Sequence, residues 1–161
     1  MTDQHEIVKK LVSEMADQFG QMPLSVEPKI GESFRYVWRL TTDSKQSVYG
    51  MFQIGDWFYI RAITQRFSDM PDNLALALVN ELNDICHYGV FYRLPDKMGF
   101  SVEQNHFIRN SPLALAEITH MISQLHGRVT ELYSTAAMVM NENESPSNAV
   151  LKFEKQKRLQ Q

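Results

Sequence analysis

The sequence predicts an α+β fold, a sheet of about five or six strands with helices packed against it, in the order α-β-β-β-β-α-β-β-α. Three observations carry this. Ser33 to Thr42 alternates strictly, with Phe34, Tyr36, Trp38 and Leu40 on one face and Arg35, Val37, Arg39 and Thr41 on the other, the period of a strand with one buried side. Leu74, Ala75, Leu78, Val79, Leu82, Ile85 and Cys86 fall within about 140° on a helical wheel, an apolar stripe facing a sheet. Gly55-Asp56 is a two-residue hairpin signal between two further apolar strand patterns, and a hairpin makes its strands antiparallel.

The chain opens with Ile7, Val8, Leu11, Val12, Met15 and Phe19 at helical spacing, closed by Gly20, so residues 3 to 19 read as an amphipathic helix. Leu24 to Ile30 reads as a short strand whose Pro28 cannot donate to a ladder, which places it on an edge or at a bulge. After the alternating strand, Asp43 to Gln46 makes a turn. Ser47 to Ile54 and Trp57 to Phe67 then carry apolar residues on both faces, with Trp57, Tyr59 and Ile63 opposite Phe58, Ile60 and Ala62. Strands apolar on both faces are covered on both faces. Helices cover one; the other requires a loop, the tail or a second subunit.

The stretch from Pro71 to Gly89 reads as one central helix, capped by Ser68 or Asp69 and ended by Gly89. Asn80 and Asn83 on its rim are unfavourable inside a helix unless their amides hold something. Val90–Leu94 and Met98–Gln104 form a hairpin around Pro95-Asp96-Lys97. Ser111-Pro112 is an N-cap followed by proline, and the helix it opens steps through Ile118, Ile122, Leu125, Val129, Leu132, Ala136 and Val139 at heptad spacing. Such a helix spans about 42 Å, so its second half is expected to pack on another subunit or on the tail. Residues 1–140 therefore read as one domain, and 141–161, opening with Asn-Glu-Asn-Glu-Ser-Pro, as a polar, mobile tail, the alternative being a turn or two of basic amphipathic helix over Ala149 to Leu159.

A chain of 161 residues needs neither metal nor disulfide to fold, and a net charge of −3 offers no basic footprint for nucleic acid. Cys86, the one cysteine, sits on the apolar helix face as a buried thiol of a reducing compartment. With no apolar run of membrane-spanning length, the expected location is the cytoplasm. His5, His87, His106, His120 and His126 lack metal-ligand spacing. The pairs Glu14/Asp17 and Glu81/Asp84 are solvated helix faces. Cys86 and His87, adjacent on a helix, point about 100° apart and cannot form a dyad. Neither a nucleophile elbow nor a phosphate loop is present. Arginines interleaved with aromatics in Arg35 to Arg39 and Trp57 to Arg61 fit a ligand face. Stacked single-stranded nucleic acid is one reading, but the acidic balance and the absence of a basic strand motif favour a protein-contact surface, where Trp, Tyr and Arg are preferred anchors.

On Leu78-Val-Asn-Glu-Leu-Asn83, Val90-Phe-Tyr-Arg-Leu94, Gly99-Phe-Ser-Val-Glu103 and the start Ser111-Pro-Leu-Ala-Leu115, the sequence resembles the YbjN family over roughly residues 5 to 140. That family is described as sensory transduction regulators and is similar in fold to type III secretion chaperones, a twisted antiparallel sheet with helices packed against it, usually dimeric. The resemblance implies a non-enzymatic, homodimeric protein-binding or regulatory protein, without catalytic, cofactor or metal residues. It would act on an unidentified protein partner, with neither nucleic acid nor membrane bound. The long last helix and charged tail depart from the family. Partner contact is expected at Trp38, Arg39, Trp57, Tyr59 and Arg61. A secretion-type chaperone for one dedicated partner is the alternative, and a small-ligand-binding protein or enzyme the outsider.

Overall fold

The computed structural model describes residues 4–42, 45–109 and 113–161. The elements are α1 (Gln4–Phe19), β1 (Leu24–Val26), β2 (Glu32–Thr42), β3 (Lys45–Ile54), β4 (Trp57–Thr64), α2 (Asp72–Ile85), β5 (Val90–Arg93), β6 (Phe100–Phe107), α3 (Leu115–Asn141) and α4 (Pro146–Leu159). The six strands form one antiparallel sheet in the order β1-β2-β3-β4-β6-β5. The architecture is α+β, with the helix layer on one side.

Strand alternation separates two faces. Phe34, Tyr36 and Trp38 of β2, Tyr49 and Met51 of β3, Phe58, Ile60 and Ala62 of β4, and Phe100 and Val102 of β6 are buried in a single core with the apolar residues of the helices. α3 is the hub, packing on β4, β6, α1, α2 and α4, whereas the sequence pointed to α2 as the organising helix. Lying between sheet and helices explains why its second half is buried on nearly every side, from Glu131 through Leu132, Tyr133, Thr135 and Ala136 to Val139. The heptad spacing thus reflects burial within one chain. α3 begins at Leu115 behind Ala114; Ser111 and Pro112 of the expected start, like Asp43 and Ser44 of the expected turn, lie outside the described residues.

The expected mobile tail is instead a helix. Ser145 caps α4 by accepting from the Asn148 N–H, and Pro146 occupies its first turn, the preferred chemistry of a helix start. Ala149 and Val150 are buried, α4 packs on α2 and α3, and the Ser147 hydroxyl donates to Glu81 at 2.7 Å. Its polar composition hid two apolar residues that were enough to dock it.

α2 is shorter than its stop signals suggested. Neither Ser68 nor Asp69 caps it, and Pro71 stands at the N-cap without a side-chain bond, because Gln65 to Met70 is already folded into turns closed by Ser68 N–H to Gln65 O and Met70 N–H to Phe67 O. At the other end Cys86 is extended and half-buried, its thiol donating to the Tyr88 carbonyl, so it is not a core residue of the helix face. Gly89 has φ +86 and passes so close to β6 that a Cβ would sit 2.9 Å from the Glu103 carbonyl.

Asn83 does hold something. Its amide donates to the Phe91 carbonyl at 3.0 Å and accepts from the Phe91 N–H at 2.8 Å, occupying backbone groups of the outer strand β5. An open edge invites another strand, and here a side chain takes the place of one. Asn83→Ala is expected to cost about 1–3 kcal/mol and to promote concentration-dependent aggregation, measured by urea denaturation and light scattering. Unchanged stability together with unchanged solubility would show that the edge is protected otherwise.

Within α3, Glu131 is almost fully buried; one carboxyl oxygen pairs with Arg128 at 2.8 Å and the other has no hydrogen-bond partner. Burial pushes its pKa above the ordinary carboxylate value, opposed by Arg128 and by Lys157 of α4 and reinforced by Glu154. A raised folded pKa means the folded protein holds this proton more tightly than the unfolded chain. The stability linked to it is therefore full below the ordinary value of about 4.3 and is lost as pH rises through the folded value. Glu131→Gln should gain on the wild type across that window in thermal melts, and a difference independent of pH would contradict this.

Candidate functional site

The candidate site is the sheet face turned away from the helices. No described element packs across it: α4, the one segment available for that purpose, lies on α2 and α3 instead. Register places Arg35, Val37 and Arg39 of β2, Val48, Gly50, Phe52 and Ile54 of β3, and Trp57, Tyr59, Arg61 and Ile63 of β4 on this face. β6 adds Glu103, Asn105 and Phe107 opposite Arg61, Tyr59 and Trp57, and β5 adds Val90 and Tyr92.

At its centre Phe52 is only 3 % exposed although no helix covers it. Tyr59 stacks on its ring at 5.1 Å with an 8° interplanar angle, and the guanidinium groups of Arg35 and Arg61 lie 4.5 and 5.4 Å from its centroid. Each arginine is held by a carboxylate. Arg61 Nε donates to Glu103 at 2.7 Å across the β4–β6 pair. Arg35 Nε donates to Glu32 at 2.8 Å; residues three apart normally face opposite sides of a strand, but a register shift between Glu32 and Arg35 brings both to the same side. The hydrogen bond from Arg35 holds the Glu32 carboxyl below its usual value, against the opposing effect of burial.

Around this neutralised centre the apolar side chains are open. Trp57 is 42 % and Tyr92 43 % exposed, with Leu24, Ile54 and Val90 exposed as well. Trp57 leans on Phe107 at a centroid distance of 4.9 Å. Scattered apolar residues are ordinary on a protein surface; a contiguous set on one face marks an interaction site.

Of the residues singled out from sequence, Arg39, Trp57, Tyr59 and Arg61 share this face. Trp38 does not: it is buried on the helix side, stacked on Tyr49 at 5.5 Å, as its position in the alternation with Phe34 and Tyr36 requires. Sequence reasoning missed Glu103, Phe107, Val90 and Tyr92. Finding them needs the β4–β6 pairing, made between strands separated in sequence by α2 and β5. The expected β6 also ended at Gln104, three residues before its last paired residue, Phe107.

Among the described residues, no three His, Cys, Asp or Glu side chains gather as a metal site would need, and no helix is long and apolar enough to cross a membrane. Fold and site together define an α+β protein with one helix-covered sheet face and one open aromatic–arginine face. No protein-family model matches the chain, and no curated protein or solved structure matches it either.

Proposed function

We propose that this is a non-enzymatic, protein-binding regulator of the YbjN type, acting in the cytoplasm as a homodimer whose two copies meet through the open sheet face. The observation that carries the reading is that face: exposed Ile54, Trp57, Val90 and Tyr92 around a centre in which Arg35–Glu32 and Arg61–Glu103 are internally paired. A face of uncompensated charge would repel its own copy. A neutralised one brings like surfaces together without stranding a charge, as the self-complementary patch of a two-fold dimer requires.

Size and edges agree. Six strands about 4.8 Å apart and averaging about 25 Å in length present on the order of 600 Å² before side-chain relief, close to the roughly 800 Å² per partner of a standard interface. Strand-to-strand association is the less suitable route, because Asn83 occupies Phe91 of β5 and β1 at the opposite edge has only three residues. Multi-angle light scattering tests the proposal: a dimer is expected at tens of micromolar, roughly the range above weak-contact affinities, and a strict monomer there would overturn it.

A further inference from the structure

The arginines of this chain divide by their partners. Arg35, Arg61, Arg93, Arg109 and Arg128 each face a carboxylate. Arg39, Arg66 and Arg158 have no carboxylate partner among the described residues; Arg158 lies in the last turn of α4, whereas Arg39 and Arg66 line the same pocket, of about 380 Å³, at one end of the sheet. In a chain of net charge −3, two guanidinium groups lining one concave site, with no carboxylate among the described residues of its wall, form a local anion trap.

The strands build the pocket by register. Arg39 pairs with Val48, and Val48 with Ile63, so these three form a row across β2, β3 and β4 on the open face. Gln46 and Gln65 extend the lining past the row. Tyr133 closes the end from α3, its hydroxyl donating to the Gln46 carbonyl at 3.0 Å while bonded to Thr64 at 2.7 Å. The Arg66 guanidinium lies 5.4 and 5.6 Å from the ring centroids of Phe67 and Tyr133, a cation–π seat that holds it in place. Guanidinium, amide and phenol groups thus surround an aliphatic floor of Val48 and Ile63.

The floor does not stop there. A second cleft of about 440 Å³ shares Arg39 and Val48 with the first and runs over Val37 to Met22 and Leu24, both more than half exposed. A cationic pocket opening onto an apolar cleft is complementary to one shape of ligand. We propose that the site binds a small organic anion, its phosphate or carboxylate head held between Arg39 and Arg66 and its apolar body lying over Val48 towards Val37 and Leu24. The site lies at one end of the proposed dimer face, four residues along β3 from Phe52 at its centre, or about 13 Å. Its lining is complete within one chain, so anion binding does not require self-association.

The test is a titration of the ¹⁵N-labelled protein with inorganic phosphate, hexyl phosphate, hexanoate and hexanol, followed by amide shifts, with light scattering recording the oligomeric state. Hexyl phosphate and hexanoate are expected to shift the Gln46 and Gln65 side-chain amides and the Val48 and Ile63 backbone amides saturably. Hexyl phosphate should bind about tenfold or more tightly than inorganic phosphate, since even two buried methylenes supply that factor, and hexanol should not saturate. Arg39→Gln with Arg66→Gln should weaken hexyl phosphate at least about tenfold, while the lysine pair Arg39→Lys with Arg66→Lys, which keeps the charge, should retain part of the binding. Binding that survives the glutamine pair, shifts scattered over the surface, or no shift with any probe would overturn the proposal. An affinity for hexyl phosphate no better than for inorganic phosphate would overturn the apolar half of the site.

Discussion

Arg93→Ala is expected to destabilise the protein by about 3–5 kcal/mol, because two carbonyls each lose a hydrogen bond from a charged donor at about 1.5–3 kcal/mol apiece, and to lower the melting temperature by about 10 °C or more. The Arg93 side chain is 5 % exposed. One guanidinium nitrogen donates to the carbonyls of Ser68 at 2.8 Å and Met70 at 3.0 Å, the other faces Gly99 O at 3.4 Å, and the group lies 4.8 Å from the Phe100 ring centroid. Asp72, 3.7 Å away and 80 % exposed, is too solvated to be the main counter-charge, so backbone carbonyls hold this cation. In doing so it ties the Phe67–Met70 turns, which deliver the chain into α2, to the β5–β6 hairpin. The tie is tight elsewhere too: Gly99 has φ +101, and a Cβ there would lie 2.0 Å from the Thr64 carbonyl. Arg93→Lys should recover only part of the loss, because one ammonium can replace the nitrogen that serves Ser68 and Met70 but not also the second nitrogen facing Gly99 or the planar group beside the Phe100 ring. Urea denaturation measures both variants, and a loss below about 1 kcal/mol for Arg93→Ala would show that the carbonyls find other partners.

Trp57→Asp is expected to abolish the proposed dimer with the fold intact. A tryptophan anchoring an interface contributes about 2 kcal/mol or more, roughly a thirtyfold weakening when lost, and an aspartate adds a charge opposite its own copy. Trp57 is exposed and touches Phe107 on the open face, so the core under the helices is not disturbed. Leu151→Asp serves as the control. Leu151 is also more than half exposed but lies on α4, in the helix layer, and its replacement should leave association unchanged. Sedimentation velocity with near-ultraviolet circular dichroism separates the outcomes. A Trp57→Asp dimer as tight as the wild type would remove the sheet face as the interface, and dissociation by Leu151→Asp would move it to the helices.

Much of this architecture was legible because local periodicity is a local property. The alternation from Phe34 to Leu40 and the stripe from Leu74 to Ile85 each report a face without reference to the rest of the chain. Asn83 was legible as a question, an amide in a helix that needed a partner, and the structure supplied Phe91 as the answer. Trp38 was the error of emphasis. Its chemistry suited an interface, but its register placed it with Phe34 and Tyr36, and register decides orientation. The tail was misread because composition averages over residues, whereas docking α4 required Ser145 and Pro146 at its start and Ala149 and Val150 in contact.

From the sequence alone came the element types, their order up to α3, the helix-facing core of β2 and β4, and Arg39, Trp57, Tyr59 and Arg61 as residues of interest. Only the tertiary structure decided that β6 inserts between β4 and β5 to set Glu103 beside Arg61, that a bulge turns Glu32 towards Arg35, that α4 lies on the helices and leaves one sheet face open, and that Arg39 and Arg66 line one pocket. The division has one physical cause. Side-chain periodicity is set by bond geometry within a few residues, whereas charge pairing, strand order and the covering of a face depend on which distant segments meet, a choice made by the free energy of the whole packed chain.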